Sequence, residues 1–406
     1  MIEVSYTLLT RVPLYQRTDG LYADDLWAKD LGAHINYIRN FTICCPVEQV
    51  NGGSISLKRI NGLTQSRVIK LRTDHGWGSA IANFLPNLFQ VAIAVRKSKI
   101  IHTTCAGWAF PLAYYILLLR PLFRFKWINV VESSFWIKPK SGHVSLRQNT
   151  SHYLNEFLVR RCVRASDARI FTQDWYRTHY LGSDDAALVN TAVWIDDANF
   201  RSDNDLKSAQ TEGTPTSLIF PARLTSEKGV DTVIAAVEEW DARYDGFPGP
   251  PLQIDIIGEG PLAERCRQFI NKRKFNGRLQ MTFLESIAYG PAFFDLLRNY
   301  SAAIVANRQA EQARIVFDAM AQGLAIFASD TTGNRAVVKD GDTGVFFPVD
   351  DPLALAKLFD RASREKEWLY RMGGNALSAA QGFSHSAMHI EREKFLHRML
   401  DLPVCK

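Results

Sequence analysis

Three observations predict an α/β protein built from two doubly wound parallel-sheet domains. Short apolar strand signals alternate with amphipathic helical ones through both halves of the chain, 406 residues exceed what one hydrophobic core supports, and a polar stretch without periodicity separates the halves. Strands that alternate with helices pair in parallel, because each helix carries the chain back across the sheet face.

The chain opens on Ile2 to Leu9, a short apolar run that reads as a strand, since it lacks the basic lead and small-residue cleavage site of a secretion signal. Gly20 to Leu31 reads as a helix, Phe41 to Val47 and Ser66 to Leu71 as strands, and Trp77 to Val95 as a helix. Ile100 to Thr104 and Trp127 to Glu132 follow as strands, Leu154 to Val163 as a helix, and Ala168 to Thr172 as a further strand. Residues 1–200 thus form the first predicted domain. Residues 201–216, RSDNDLKSAQTEGTPT, are polar and aperiodic and form the predicted link. Alternation resumes over 217–384, the second domain, and 385–406 holds a last helix, His385 to Leu400, beyond the second sheet.

With 47% hydrophobic and 22% charged residues the chain is ordinary globular material, neither disordered nor collagen-like. Its six cysteines show no CxxC pair, which favours a reducing, cytoplasmic compartment over a disulfide scaffold. Charge is unevenly divided: residues 1–200 hold 23 Lys and Arg against 15 Asp and Glu, a net +8, whereas 201–406 hold 25 against 27, a net −2. Within the basic half, WAFPLAYYILLLRPLFRFKW at 108–127 joins an apolar run to Arg120, Arg124 and Lys126. A membrane span needs about 20 apolar residues, so this segment is either a buried helix with a basic end or a segment lying on an anionic membrane surface. Nucleic acid is not expected as a partner, because no binding module shows and aromatics are not interleaved with the basic residues.

The candidate chemistry lies in the second half. EQARIVFDAMAQG, 311–323, places Glu311 before an apolar helix and Asp318 inside it, among Ile315, Val316, Ala319 and Met320. The unpaired N–H groups and dipole of a helix start welcome an anion at Gln312 to Ile315, and Arg314 adds a cation. Asp318 lies either on a solvated side or against a ligand. SLIFPARLTSEKGVDTVIAAV, 217–237, reads as strand, polar turn and helix, with Arg223 and Lys228 on the loop. A guanidinium that grips two oxygens and an ammonium point charge suit a diphosphate, although exposed Arg and Lys are commonly just solvated. QIDIIGEGPLA, 253–263, runs from a strand into Gly258, Gly260 and Pro261, where glycines let a ligand approach the backbone.

Four ordered motifs, PARLTSEKG, IIGEGP, EQARIVFDAMAQG and DGDTG at 340–344, resemble the C-terminal half of a retaining nucleotide-sugar glycosyltransferase of family 4, in glycosyltransferase group 1. That family's pattern runs GRL-x-x-EKG, G-x-GP, E-G-F-G-x-x-x-x-E-A-M-A-x-G and D-G-x-x-G, and the likeness covers roughly 215–385. The resemblance implies the GT-B fold, two Rossmann-like domains facing a cleft, with the 385–406 helix packing back on the first domain. It implies metal-independent transfer of a sugar, with retention, from a nucleotide-diphosphate sugar to a glycan or lipid-linked acceptor in polysaccharide or glycoconjugate biosynthesis. The donor would be a UDP-sugar ahead of a GDP-sugar, with no permanently bound cofactor. The place of action would be the cytoplasm, extending to the inner face of the membrane.

On that resemblance Arg223 and Lys228 stabilise the leaving diphosphate, Asp318 holds the ribose hydroxyls, and Glu311 contacts the sugar or its phosphate. Arg314, Ile315, Gly258, Gly260 and Pro261 complete the donor site. No metal ligand set is expected, because Asp-x-Asp occurs only at 203–205, in the polar link, and at 340–342, in a glycine turn. The chain also departs from the family: six residues, not seven, separate Glu311 from Asp318, Ala310 takes the register of the first glutamate, and the second is an aspartate. The alternative is a weakened relative that binds nucleotide-sugar or glycan as a regulatory or scaffold subunit. In the first half only Thr18, Asp19 and Gly20 stand for the family's Gly-Gly loop. His102 and Glu132 fall at predicted strand ends, where open parallel sheets bind ligands, although a lone histidine is often structural. The loop 284–291, LESIAYGP, is expected to shape specificity.

Overall fold

The computed structural model describes residues 1–49, 57–107, 109–134, 136–137, 145–182, 187–208, 216–243, 250–273, 275 and 277–401. They form two compact units, residues 1–191 with 388–406, and residues 192–387.

The first unit contains β1 (Tyr6–Leu9), β2 (Leu14–Arg17), β3 (Gly20–Asp24), α1 (Asp25–Tyr37), β4 (Phe41–Gln49), β5 (Leu57–Arg59), β6 (Val68–Leu71), α2 (Trp77–Lys97), β7 (Ile100–Thr104), α3 (Leu112–Leu119), β8 (Lys126–Val131), α4 (Leu146–Ala165), β9 (Ala168–Phe171), α5 (Asp174–Leu181) and β10 (Ala187–Val189). Its sheet runs β10-β9-β8-β7-β1-β4-β2-β3-β5, with β6 also on β4. The strands from β10 through β4, and β6, are parallel; β2 and β3 form an antiparallel hairpin that β5 extends at the edge. One apolar core, with Tyr6, Leu31 and Ile43, packs under α1, and another, with Val91, Tyr115, Trp127 and Val159, packs under α2 to α5.

The helix expected from Gly20 starts instead at Asp25. Leu21 and Ala23 alternate inward as a strand paired with β2, and the Asp24 carboxylate then caps the helix by accepting the Trp27 N–H at 3.0 Å. α4 starts earlier than expected, at Leu146, because Ser145 and Gln148 form a capping box. Of the two readings of 108–127, the buried helix is the one the packing of α3 supports. Trp108 lies outside the described residues, but α3 buries Leu112, Ala113, Tyr115, Ile116 and Leu119, and Arg120 pairs with Asp167 at 2.8 Å. The run is a core helix with a basic end.

The second unit continues with α6 (Asp203–Ser208), β11 (Thr216–Pro221), α7 (Val230–Arg243), β12 (Leu252–Ile257), α8 (Ala263–Lys272), β13 (Leu279–Leu284), α9 (Pro291–Leu297), β14 (Ala302–Val305), α10 (Ile315–Ala321), β15 (Ala325–Ser329), α11 (Thr332–Arg335), β16 (Gly344–Phe347), α12 (Pro352–Arg364) and α13 (Lys366–Ala380). Its six strands are all parallel in the order β13-β12-β11-β14-β15-β16. Residues 192–200 belong to this unit, not the first, because Val193 and Ile195 are buried in its core. The stretch expected as a link begins with α6, and 209–215 lie outside the described residues.

α14 (His385–Met399) takes the chain back to the first unit, where Phe395, Leu396 and Leu400 join the core beside α1. Buried polar groups fasten it there. His389 Nε2 lies 3.0 Å from Asp30 Oδ1, Arg392 lies 3.2 Å from His34 Nε2, and Asn190 donates to the Met388 carbonyl at 3.2 Å. Burial pushes the His389 pKa down to about 3 against the pull of its Asp30 contact.

Candidate active site

In the second sheet the chain runs outward from β11 through β12 to β13 and then returns beside β11 as β14, so the strand order reverses between β11 and β14. Ligands of open α/β sheets bind outside the carboxyl ends of the strands at such a reversal. There the structure has a pocket of about 510 Å³, walled by Arg223 after β11, Gly258 and Glu259 after β12, Asn307 after β14, and Arg314, Ile315 and Asp318 at the start of α10.

The cations are held by backbone, and the sequence supplies the means. Gly258 has φ +142°, and a Cβ there would stand 1.9 Å from the Ala222 carbonyl oxygen, so only glycine lets the two loops touch. They pair beyond their strands: the Leu224 N–H donates to the Glu259 carbonyl at 2.7 Å and the Leu262 N–H to the Leu224 carbonyl at 3.0 Å. Arg223 sits on this zipper. Lys228 sits on a tight turn closed by Gly229, at φ +75° and packed against Ala306. Arg308 bolts that turn down, donating to the Ser226 carbonyl at 2.5 Å and to Asp350 at 2.6 Å. Among the described residues neither the Arg223 guanidinium nor the Lys228 ammonium has a hydrogen-bond or ion-pair partner, although both residues line the pocket. Two such cations in one concavity form an anion site.

The acid is placed by packing. α10 starts at Ile315, later than the sequence indicated, because Gln309 to Glu311 are drawn into a bend by Asn307, whose side-chain N–H groups donate to the Gln309 and Glu311 carbonyls at 3.0 and 3.1 Å. Asn334 donates to Asn307 Oδ1 at 3.0 Å and so orients it. Asp318 is buried, 5% exposed, and accepts the Tyr289 hydroxyl at 2.7 Å. Burial, and then the Asp318 charge, push the Tyr289 hydroxyl well above its ordinary value, so it stays a donor. Of the two readings of Asp318, the solvated one is therefore corrected. Arg314 is exposed and reaches over the Trp194 ring, 5.9 Å from its centre.

Other expected positions fall less simply. Glu311 is half-buried and is not part of the pocket wall, and neither are Gly260 and Pro261. Gly20 lies at the tip of the β2–β3 hairpin, paired with Arg17, and not before a helix, which corrects its assignment to a ligand loop. His102 is mid-strand, since β7 continues to Thr104; it is 5% exposed and its Nδ1 lies 2.7 Å from the Tyr6 hydroxyl. Burial depresses its pKa, so the ring is neutral. Glu132 does follow the carboxyl end of β8, accepts the Thr104 hydroxyl at 2.8 Å, and keeps contact with solvent. Protein crowded around it raises its pKa, against that hydrogen bond.

Sequence reasoning passed over Trp194, Tyr289, Asn307 and Arg308. The aromatic in SIAYGP was a usable signal for Tyr289, being a large ring in a glycine-proline loop. Trp194 had none, because it arrives from a segment assigned to the other domain.

Residues 202–378 match the family model of glycosyl transferases group 1. Over 159 residues the chain is 25% identical to the alpha-D-kanosaminyltransferase of Streptomyces kanamyceticus, covering 39% of each chain. Over 181 residues it is 29% identical to the phosphatidyl-myo-inositol mannosyltransferase of Mycolicibacterium smegmatis, covering 43% of this chain and 42% of that one. The matches span between 39% and 61% of the lengths of these and other curated relatives. The crystal structure of Anabaena HepE in complex with UDP superposes with a TM-score of 0.65 at 14% identity, covering 97% of this chain and 100% of that one. The fold, two Rossmann-like α/β units, is that of the GT-B glycosyltransferases.

Proposed function

We propose that the protein is a retaining glycosyltransferase that moves a sugar from a nucleotide-diphosphate sugar to a glycan or lipid-linked acceptor in polysaccharide or glycoconjugate synthesis. One observation carries this reading: Arg223, Lys228 and buried Asp318 line a single pocket at the strand reversal of a parallel sheet. The two cations take the diphosphate and stabilise the charge that develops on it as the glycosidic bond breaks, which is the work a divalent metal would otherwise do. Asp318, fixed by Tyr289, accepts the ribose hydroxyls. Gly258 brings the backbone against the nucleotide, and Arg314 and Ile315 close the phosphate side. UDP is favoured as the leaving nucleotide, in keeping with the HepE complex. In the first unit Glu132 is the group we assign to the substrate. Among the described residues the five cysteines are buried free thiols, which supports a cytoplasmic place of action.

One observation favours a second reading. Glu311 is absent from the pocket wall, as it would be in a relative that binds the donor without turning it over. Thermal-shift titration with UDP, GDP and their sugars, followed by donor hydrolysis, separates the cases. A shift with UDP that disappears in Arg223→Ala, with hydrolysis that disappears in Lys228→Ala, supports the transferase. Binding without turnover supports the regulator, and no shift with any nucleotide refutes both.

A further inference from the structure

Among the described residues two other than glycine hold a left-handed backbone, Asp350 at φ +59° and Asp401 at φ +52°. Asp401 lies just past α14, where a helix end takes that conformation readily. Asp350 has no such setting, since it stands in the loop between β16 and α12. A side chain in this region costs free energy that glycine would avoid, so it persists where its side chain is both held and needed.

The Asp350 carboxylate is firmly held. Its Oδ1 accepts the Arg308 Nε–H at 2.6 Å and the hydroxyl of buried Thr232, in the first turn of α7, at 2.9 Å. Arg308 carries the connection on to the turn before α7. Its Nη1 donates to the Ser226 carbonyl at 2.5 Å and to the Ser226 hydroxyl at 2.6 Å, and its backbone N–H donates to the Glu227 carbonyl at 2.9 Å. Three hydrogen bonds from one residue thus land on the two residues before Lys228. A second carboxylate, that of Asp231, stands 3.9 Å from the same guanidinium, so its charge is already met. Lys228 lines the pocket, whereas Ser226, Thr232, Arg308 and Asp350 do not.

We propose, resting on the reading of the pocket as a diphosphate site, that Arg308 and Asp350 are positioning residues for Lys228, and that Asp350 keeps its strained backbone for this purpose. A lysine ammonium is a point charge on a flexible stem with no fork to align it, so its place is set by the backbone beneath it. Two residues just past β14 hold that backbone: Gly229 packs against Ala306, and Ser226 and Glu227 are bonded to Arg308. Asp350 and Thr232 in turn fix the guanidinium. The ammonium is thereby placed before a diphosphate arrives, and less freedom is lost on binding. Misplacing such a group by about 1 Å is enough to slow a reaction by about a hundredfold.

Calorimetric titration of the full chain with UDP and GDP tests this in two backgrounds, the parent and Lys228→Ala. In the parent Arg308→Ala and Asp350→Gly should each weaken nucleotide binding by about tenfold, less than loss of the ammonium itself, since the charge stays in the pocket. Asp350→Asn keeps an acceptor oxygen and tolerates a left-handed backbone, and should stay within about threefold of the parent. In Lys228→Ala no ammonium is left to place, so adding Arg308→Ala or Asp350→Gly should change the affinity by less than about twofold. Asp350→Gly should melt close to the parent, because relief of the backbone offsets the lost hydrogen bonds, and it carries the test alone should Arg308→Ala misfold. Equal losses in both backgrounds overturn the proposal by making the role merely structural, and an affinity that rises in Asp350→Gly overturns it by making Arg308 itself a diphosphate contact. Binding that falls in Lys228→Ala but is untouched by Arg308→Ala and Asp350→Gly also overturns it, and leaves the donor reading standing. A parent that binds neither nucleotide refutes that reading and the proposal with it.

Discussion

Lys228→Ala removes one of two cations from the pocket while leaving its framework in place, because the turn that carries Lys228 is held by Gly229 against Ala306 and by Arg308 on Ser226, not by the ammonium. Two unit charges about 4 Å apart at an effective dielectric of about 20 attract by about 4 kcal/mol. Lys228 is half-buried, so its charge is partly hydrated before a diphosphate arrives, and desolvation of both partners is set against the attraction. About 2 kcal/mol should survive, in line with hydrogen bonds to charged groups, or roughly thirtyfold in UDP affinity. Calorimetric titration with UDP at two salt concentrations reads this directly. Arg223→Ala should lose a comparable amount, and each variant should show a shallower salt dependence than the parent. Donor hydrolysis should fall further than affinity, because the charge on the diphosphate grows toward the transition state. UDP affinity within about threefold of the parent in both variants, with unchanged melting, would refute the assignment of this pocket to a diphosphate.

Tyr289→Phe should leave buried Asp318 short of a donor, costing the second unit about 1.5 to 3 kcal/mol, read as a lower melting temperature, and weakening UDP binding by roughly tenfold. Gly229→Ala places a Cβ 2.0 Å from the Ala306 carbonyl oxygen at φ +75°; UDP binding should be lost through displacement of Lys228, while Gly382→Ala, with open space around it, should be silent in the same titration. His389 has a folded pKa near 3 against 6.5 for the free side chain. A depressed value means that the unfolded chain takes the proton first, so its contribution is complete above pH 6.5 and is lost as pH falls toward 3. From pH 7 to 4.5 the loss should be about 2 to 3 kcal/mol, read as a falling melting temperature of the first unit, and His389→Gln should flatten that slope. A slope unchanged in His389→Gln would assign the acid sensitivity elsewhere.

Much of this was legible along the chain, and the exceptions share a cause. The central parallel strands of both sheets could be read because each is a short apolar run closed by polar or glycine residues, and the run needs no partner to be visible. The edge ribbon β2, β3 and β5 could not. Gly20 to Asp24 carries two inward residues and an acid that would equally start a helix, and only pairing with Leu14 to Arg17 settles it as a strand. In the site, Arg223, Lys228, Gly258 and Asp318 were legible because each interrupts or follows a strand or apolar helix. Tyr289, Asn307 and Arg308 were not, since their value lies in which atoms they reach, 29, 4 and 82 residues away.

Sequence by itself determined the fold class, the order of the motifs and the chemistry of the donor candidates, since periodicity, glycine punctuation and charge are local properties of a chain. Tertiary structure alone decided which of those candidates meet. It brought Arg223, Lys228 and Asp318 into one pocket, set Glu311 outside its wall and turned His102 into the core. Burial and contact depend on which residues fold together across the sheet, and spacing along the chain does not encode that.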